Sequence, residues 1–513
     1  MKKFSRLSRI FLLLAVFFAL DKGLGILRQL IIGRQFGLSE ELDVFNAANN
    51  LPDMLFALIS GGALAIAFIP VLSEVLTKEG QKAAWKLFSN VTNLAFLVTA
   101  GLSILVALLA APLVAWELGI APGFTSAQQE LAVELMRPNL FATLIFSLSG
   151  LIMASLQANQ HFLYPALAPI LYDVGQIFGA VVLAPSEGYR LGGIQLPAFG
   201  LGMHGLVYGV IIGAALHLMI QIPGLIKHHF EWFAGINLRD AQVSKVIKLM
   251  VPRLLSMAAI QLIFLAQDNL ASRLPTGSVT ALTYGWLIMQ VPETLIGTAI
   301  ATALLPTLSE HVTLEAWEKL KGIISNAAQV MIALALPLTA ILAMGLLPII
   351  QLALGFELQD SLLVLWASQA FLLGLTGHSL VELGVRSFYA RQNARIPLLG
   401  AYGTLILFIT LGIALMQGLG AAGIALANSL AYSLQAVFLF LVMARGLPGK
   451  LSMSKSILRG LAAALIGGLA VWLIEKVVPL HVHSLILAVF GMAVGSILAA
   501  LIVRRELRQL LQL

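Results

Sequence analysis

Apolar positions along the chain come in long unbroken runs rather than in the short periods of a soluble core. Runs of about twenty or more apolar residues recur, each long enough as a helix to cross a hydrocarbon layer about 30 Å thick. They predict fourteen transmembrane helices at approximately 9–33, 44–73, 87–115, 131–157, 161–184, 199–226, 246–272, 278–308, 322–349, 360–390, 396–416, 420–444, 457–475 and 483–503. The fold class expected is therefore an all-α integral membrane protein. The basic stretch Lys2, Lys3, Arg6 and Arg9 before an apolar run imitates a signal peptide. No small-residue cleavage site follows, so the segment reads as a retained first helix.

Three segments recur at nearly constant offset, and they change the picture from a string of helices to a duplication. Residues 67–74 (AFIPVLSE) resemble 303–310 (ALLPTLSE), 158–165 (ANQHFLYP) resemble 390–397 (ARQNARIP), and 200–205 (GLGMHG) resemble 418–423 (GLGAAG). Each pair falls at the same place in a block of six helices. Six is even, so the copies share one orientation and form parallel repeats about an axis along the membrane normal, a transporter architecture. The expected organisation is an N-terminal lobe over 1–228, a C-terminal lobe over 243–446, and two trailing helices over 455–513.

Composition agrees with lipid as the main solvent. Of 513 residues, 59% are hydrophobic and 11% charged, against about a quarter charged in soluble domains. With the N-terminus inside, about 22 of the 31 Lys and Arg fall in inner loops and about 4 in outer ones. Both termini are therefore expected in the cytoplasm. The net charge of +7 is an inner rim facing anionic headgroups of membrane lipids. Its basic residues are spread over many short loops, which gives no footprint for nucleic acid. There is no cysteine, hence no disulfide or thiolate metal site.

Charges inside the spans carry the candidate chemistry, because each costs about 2.5–3.5 kcal/mol at a helix centre unless it meets a partner or a cavity. Asp21, Lys22, Gly25, Arg28 and Gln29 form one stripe of helix 1, and Asn46, Asn49, Asn50 and Asp53 one face of helix 2, beside Pro52. Helix 7 carries Arg253, Gln261 and Asp268. Helix 8 carries Gln290, Glu293 and Thr294, with Pro292 where helix 2 has Pro52. These helices open the two repeats, so the stripes are expected to line a hydrated space that binds an anion through Lys22, Arg28 and Arg253. The alternative is structural pairing, such as Arg28 with Asp53. Asp173, Glu382 and Arg386 read as interhelical glue or as functional groups, and Gly205, Gly209 and Gly213 as a packing face. No phosphate-binding loop, His-Glu-x-x-His or serine triad is present, so an enzyme is not expected and ATP is not the direct energy source.

Gly23-Leu-Gly-Ile-Leu-Arg28, Phe36-Gly37, Asp43-Val-Phe45, Leu51-Pro52, Ala67-Phe-Ile-Pro70, the stretch 165–172 (PALAPILY) and the stretch 388–392 (FYARQ) with Pro397 together resemble the MurJ (MviN) lipid II flippase family. That family belongs to the multidrug/oligosaccharidyl-lipid/polysaccharide exporter superfamily. The resemblance implies two six-helix lobes around a cationic cavity, alternating access, and trailing helices that form a groove for a polyprenyl tail. Its implied substrate is lipid II or a related undecaprenyl-linked glycan, moved to the outer leaflet of the bacterial inner membrane and delivered to cell-wall synthesis machinery. No cofactor is expected, and transport would be driven by the membrane potential, by an ion gradient of sodium or protons, or by downstream consumption of the product.

Carried over residue by residue, Arg28 matches a functional arginine, Lys22 stands where a second arginine is usual, and Asp43 is retained. Asp268 matches an aspartate of a proposed sodium site. Phe56 and Leu287 occupy two further arginine positions, Gln290 an acidic one, and helix 11 offers Ile409 and Gly412 where Asn and Asp are usual.

Overall fold

The structure, a computed structural model, describes residues 6–61, 63–448, 453–477 and 484–510. Helices account for nearly all of it. The chain divides into two units, Met1–Leu265 and Ala266–Leu513.

Unit 1 holds α1 (Arg6–Phe36), α2 (Glu40–Leu55), α3 (Ala63–Lys78), α4 (Gln81–Leu108), the short α5 (Ala110–Ala115), α6 (Ser126–Ala158), α7 (Leu163–Phe178), α8 (Gly202–Met219), the short α9 (Ile222–Lys227) and most of α10 (Ala241–Ala271). Local signals set several boundaries. The Ser39 hydroxyl accepts from the Leu42 amide at 3.2 Å, and Glu40, Glu41 and Asp43 in the first turn complement the dipole of α2. Thr125 and Gln128 form a reciprocal capping box at the start of α6. Among the described residues, the one departure from an all-α chain is a small hairpin, in which β1 (Arg190–Leu191) pairs antiparallel with β2 (Ile194–Gln195). The expected glycine face is real. A Cβ on Gly209 would stand 2.7 Å from Gly179 Cα, and one on Gly175 would stand 2.3 Å from Gly213 Cα, so α7 and α8 touch backbone to backbone.

Loops that should share one side of a membrane do meet. Glu74 at the end of α3 accepts from Lys78 at 2.9 Å and from Lys245 of α10 at 2.6 Å. The Trp85 indole of α4 donates to the His228 carbonyl at 3.2 Å, and Trp85, Phe88 and Phe230 pack edge to face. The two ammonium groups pull the Glu74 carboxyl down to about 2. Because that value lies below the usual carboxylate range, the clasp is complete above about pH 4.5 and loosens only as pH falls toward 2. The opposite end of the unit carries the Tyr189 hydroxyl, which donates to Gln35 at 3.4 Å.

Unit 2 holds the end of α10, then α11 (Ser278–Glu293), α12 (Ala299–Thr313), α13 (Trp317–Leu354), α14 (Leu358–Leu373), α15 (Leu375–Ala390), α16 (Arg395–Arg445), α17 (Ser454–Val477), α18 (Ser484–Ile502) and α19 (Arg504–Leu510). The 51 residues of α16 are two helices, since Gly420 at φ 57°, ψ −136° breaks the helical path. One end gathers Arg391, whose guanidinium lies over the Trp317 ring at 5.8 Å and donates to the Gly446 carbonyl. It also gathers the buried Glu506, held by Arg459 and Ser456 at 3.0 Å each. The trailing helices α17 and α18 pack on α13 and on each other through Gly467 and Gly495.

Among the described residues, ten helices are long and apolar enough to cross a membrane, or eleven with the bent pair Leu358–Leu373 and Leu375–Ala390. By that measure the expected fourteen is not reached. Part of the difference is α16, which registers as one helix despite its break at Gly420 and covers two of the expected segments.

Both repeats deform in the same way at their second helix. Pro52 in α2 is followed by a π turn at Phe56–Gly61, and Pro292 in α11 by a π turn at Thr294–Thr298. Each proline removes one ladder hydrogen bond, and the widened turn absorbs the mismatch. Duplication thus shows in the backbone as well as in the repeated sequence.

The arrangement of ends predicts a labelling pattern in this cysteine-free chain. Cysteines placed at Lys78 and Lys319 should react with an impermeant thiol reagent only after the inner side is exposed, and one at Arg190 in intact cells. Labelling of the Lys78 variant in intact cells would reverse the topology.

Candidate functional site

In unit 1 the polar stripe of α1 closes on α7. Arg28 Nη1 donates to Asp173 Oδ1 at 2.7 Å, with the Arg28 side chain 19% and the Asp173 side chain 7% exposed. The direct partner of Arg28 is therefore Asp173, 145 residues away, and not Asp53 as helix periodicity alone suggests. Asp53 stays within electrostatic reach of Arg28, as does the Tyr172 ring beside Asp173. Lys22 is 64% exposed, lies 3.8 Å from Asp21, and sits over the Phe18 ring at 5.4 Å. Lys22 is thus the less committed cation. Gly25 lies between the two, and a Cβ there would stand 3.6 Å from Asp173 Oδ2.

The polar face of α2 is anchored from α6. Asn139 donates to Asn49 at 2.6 Å, and the Thr143 hydroxyl donates to the Pro52 carbonyl at 3.3 Å. These bonds hold the backbone around the proline and place Asp53 one residue beyond it.

Five ionisable groups result: Asp21, Lys22, Arg28, Asp53 and Asp173. Three of them are acids and two are bases. Asp43 lies apart, buried three turns before Asp53 in the opening turn of α2. Arg253 is an exposed side chain on α10. Asp268 is buried near the end of α10, in unit 2. Beside it, the helix-11 segment brings Gly412 to Leu270, where a Cβ would stand 2.7 Å from Leu270 Cδ1. Among the described residues no cluster of three His, Asp or Glu side chains is arranged to hold a metal. Glu293 belongs to a separate cluster in unit 2, with Thr298 and Arg386. Glu382 and Arg386 pair within α15, four residues apart, and Arg386 also lies within electrostatic reach of Glu293 on α11.

Sequence reading also passed over a buried network. His217 Nδ1 and the Ser149 hydroxyl are hydrogen-bonded, and Gln221 donates to the same hydroxyl at 2.8 Å. His378 Nε2 meets Asn428 Oδ1 at 3.0 Å in unit 2. In each unit the bond links the fourth and sixth helices of a repeat. Histidines on apolar faces are the available signal, but only the fold supplies their partners.

The π turns after Pro52 and Pro292 each border an apolar cavity of about 460 Å³. The one in unit 2 runs between Pro292 and Leu295, Pro337 and Ile341 of α13, and Ala499 and Val503 at the end of α18. One wall is therefore a trailing helix. The one in unit 1 lies between Leu55 and Leu58, α4, and Val246 and Met250 of α10.

The sequence model of the family described as lipid II flippase MurJ matches residues 32–491, which span both repeats. The chain belongs to that family. The lipid II flippase MurJ of Burkholderia cenocepacia is 30% identical over 446 residues, covering 85% of this chain and 83% of the relative. A probable lipid II flippase MurJ of Haemophilus influenzae is 27% identical, covering 88% and 90%. Among solved structures, a lipid II flippase MurJ in an inward closed conformation superposes with a TM-score of 0.80 at 22% identity, covering 97% of this chain and all of that one. An inward-facing multidrug transporter of the MATE family and MOP superfamily gives 0.67 at 15% identity, covering 82% and 93%. These neighbours share the fold. Membership makes the chain a transporter of the bacterial inner membrane and not an enzyme.

Phe56, expected at an arginine position of the family, is a packed residue. Its ring lies 4.7 Å from Phe146, which in turn meets Tyr172 at 5.0 Å and His217 at 5.3 Å. Leu287 is half-buried and Gln290 exposed.

Arg28→Ala should abolish function while membrane level stays near normal, measured by growth of a flippase-depleted strain and quantitative blotting. A variant that disappears from the membrane and is restored by a second change, Asp173→Asn, would make the pair a structural clasp instead.

Proposed function

We propose that this chain moves lipid II, a polyprenyl-diphosphate-linked peptidoglycan precursor, from the inner to the outer leaflet by alternating access. The observation that carries the proposal is the family match across both repeats. The site chemistry supports it. A diphosphate leaving water needs charge-assisted hydrogen bonds, and Arg28, Lys22 and Arg253 are the donors this chain offers. In the unloaded protein Asp173 holds the Arg28 guanidinium in place at 2.7 Å. The incoming diphosphate displaces Asp173 and takes over the guanidinium, so that Arg28 is never left uncompensated. Asp43, Asp53 and Glu293 orient the remaining polar groups. The tail stays in hydrocarbon throughout, and the apolar cavity walled by α18 in unit 2 suits it in chemistry and place.

The headgroup carries negative charge outward, so an inside-negative membrane potential favours the transfer by about 2.3 kcal/mol per charge per 100 mV. Coupling to sodium or protons adds to this drive, as does consumption of the product by cell-wall enzymes on the outer side. Both termini lie in the cytoplasm on this reading.

Phe56 and Leu287 at two arginine positions favour one second reading, a different undecaprenyl-linked glycan as cargo. Expression of the chain in a bacterium depleted of its own flippase separates the two. Restored growth, with lipid II becoming accessible to an external enzyme, is the expected result. No rescue at normal membrane level, together with outward movement of another glycan lipid, would replace lipid II by that cargo.

A further inference from the structure

Midway along the segment Ser278–Thr313 lies a polar cluster that the lipid-transport reading draws on only through Glu293. Glu293 ends α11, and its carboxylate accepts from the Thr298 hydroxyl at 3.3 and 3.4 Å. On α15, Arg386 pairs with Glu382 and also donates to the Glu382 carbonyl at 3.3 Å. Glu293 and Arg386 lie within electrostatic reach of each other. Ser379, on the same helix, is fully buried, and its hydroxyl has no hydrogen-bond partner among the described residues. Gly297 brings these groups to one point. A Cβ on it would stand 2.5 Å from Glu293 Oε1, 2.8 Å from Ser379 Cα and 3.2 Å from Ser379 Oγ. Glycine therefore lets the π turn approach α15 so closely that a carboxylate oxygen and an unpartnered hydroxyl converge.

The charge there does not balance. Glu293 and Glu382 oppose a single guanidinium, which leaves one negative charge in the middle of a membrane segment. The other titratable groups around it are Tyr432, Tyr389 and His378, and His378 is turned toward α16, bonded to Asn428 and stacked on Tyr432. None of them adds a second cation beside Glu293. An unbalanced charge at membrane depth is costly, and one positive charge removes the cost. The available ligands are oxygens: the Glu293 carboxylate, the Thr298 and Ser379 hydroxyls, and carbonyls of the π turn Thr294–Thr298, where the helical ladder is widened. Oxygen ligands suit a hard cation, and a single net charge suits a monovalent one.

We propose that Glu293, Thr298 and Ser379 form a binding site for one monovalent cation, sodium with the proton as its competitor. The site lies on the second and fourth helices of the C-terminal repeat. It is separate from Asp268, where helix 11 offers Ile409 and Gly412 and Leu270 fills the approach. Cation binding here does not depend on which lipid is carried, so the two readings stand or fall by different measurements.

The test uses the purified full chain without lipid substrate, titrated with sodium chloride against choline chloride at constant ionic strength. Sodium should raise the melting temperature at about pH 8 and raise it less at about pH 6, because protons compete for the same carboxylate. Glu293→Gln and Ser379→Ala should each weaken apparent sodium affinity by roughly tenfold or more while melting near wild type in choline. Gly297→Ala should weaken sodium affinity as well, by pushing the π turn away from Ser379, and Asp268→Asn should keep the response. If sodium has no effect but a pH jump releases a proton from wild type and not from Glu293→Gln, the proton is the sole occupant and the site stands. A sodium response that survives in Glu293→Gln, a response lost in Asp268→Asn, or the absence of both sodium and proton signals in wild type overturns the proposal.

Discussion

A charge in a membrane interior must find an opposite charge, and the ion pair between Arg28 and Asp173 is where this chain meets that demand most directly. Without Asp173, α1 would carry a guanidinium with no compensation at hydrogen-bond distance. The pair spans 2.7 Å between helices far apart in sequence, and so fixes α1 against α7. It also holds the arginine ready to change partners. A cation already paired moves from one anion to another without passing through a bare state, which keeps the barrier to substrate entry low.

The same constraint explains how the backbone is used. Pro52 and Pro292 break their helices where polar groups cluster, and a π turn follows each. Thr143 donates to the Pro52 carbonyl in unit 1, and Thr298 donates to the Glu293 carboxylate just past Pro292 in unit 2. Irregular backbone at membrane depth is tolerated because protein groups occupy it. Its reward is a pair of sites, one in each unit, where side chains from different helices converge. Apolar cavities lie on the other flank of each π turn, so polar and lipid-like surfaces stand side by side.

Much of the fold is legible in the sequence because lipid imposes a single rule, long apolar runs with basic ends, and this rule needs no tertiary information. The repeat is legible for a similar reason, since motifs such as 67–74 and 303–310 recur at fixed offset. The site is legible only as a list of charges. Helix periodicity groups Asp21, Lys22 and Arg28 correctly, but it cannot show that Asp173 on a later helix is the partner, nor that Glu382 and Arg386 satisfy each other within one helix. Phe56 reads as a vacancy at an expected arginine position, whereas the fold packs it in a stack with Phe146 and Tyr172. Gly297 and Ser379 give no sequence signal at all, because a close helix approach and an unbonded hydroxyl exist only once the helices are packed.

The central claim is that Arg28 exchanges Asp173 for the substrate diphosphate. Native mass spectrometry of lipid II binding to the purified chain tests it by comparing wild type, Arg28→Ala and Asp173→Asn at matched protein levels. A hydrogen bond to a charged group contributes about 1.5–3 kcal/mol, so Arg28→Ala should weaken binding by roughly tenfold or more. Asp173→Asn removes the competitor and should leave binding as tight as in wild type or tighter. If Asp173→Asn weakens binding as much as Arg28→Ala does, the pair serves only to hold α1 against α7, and the exchange does not occur.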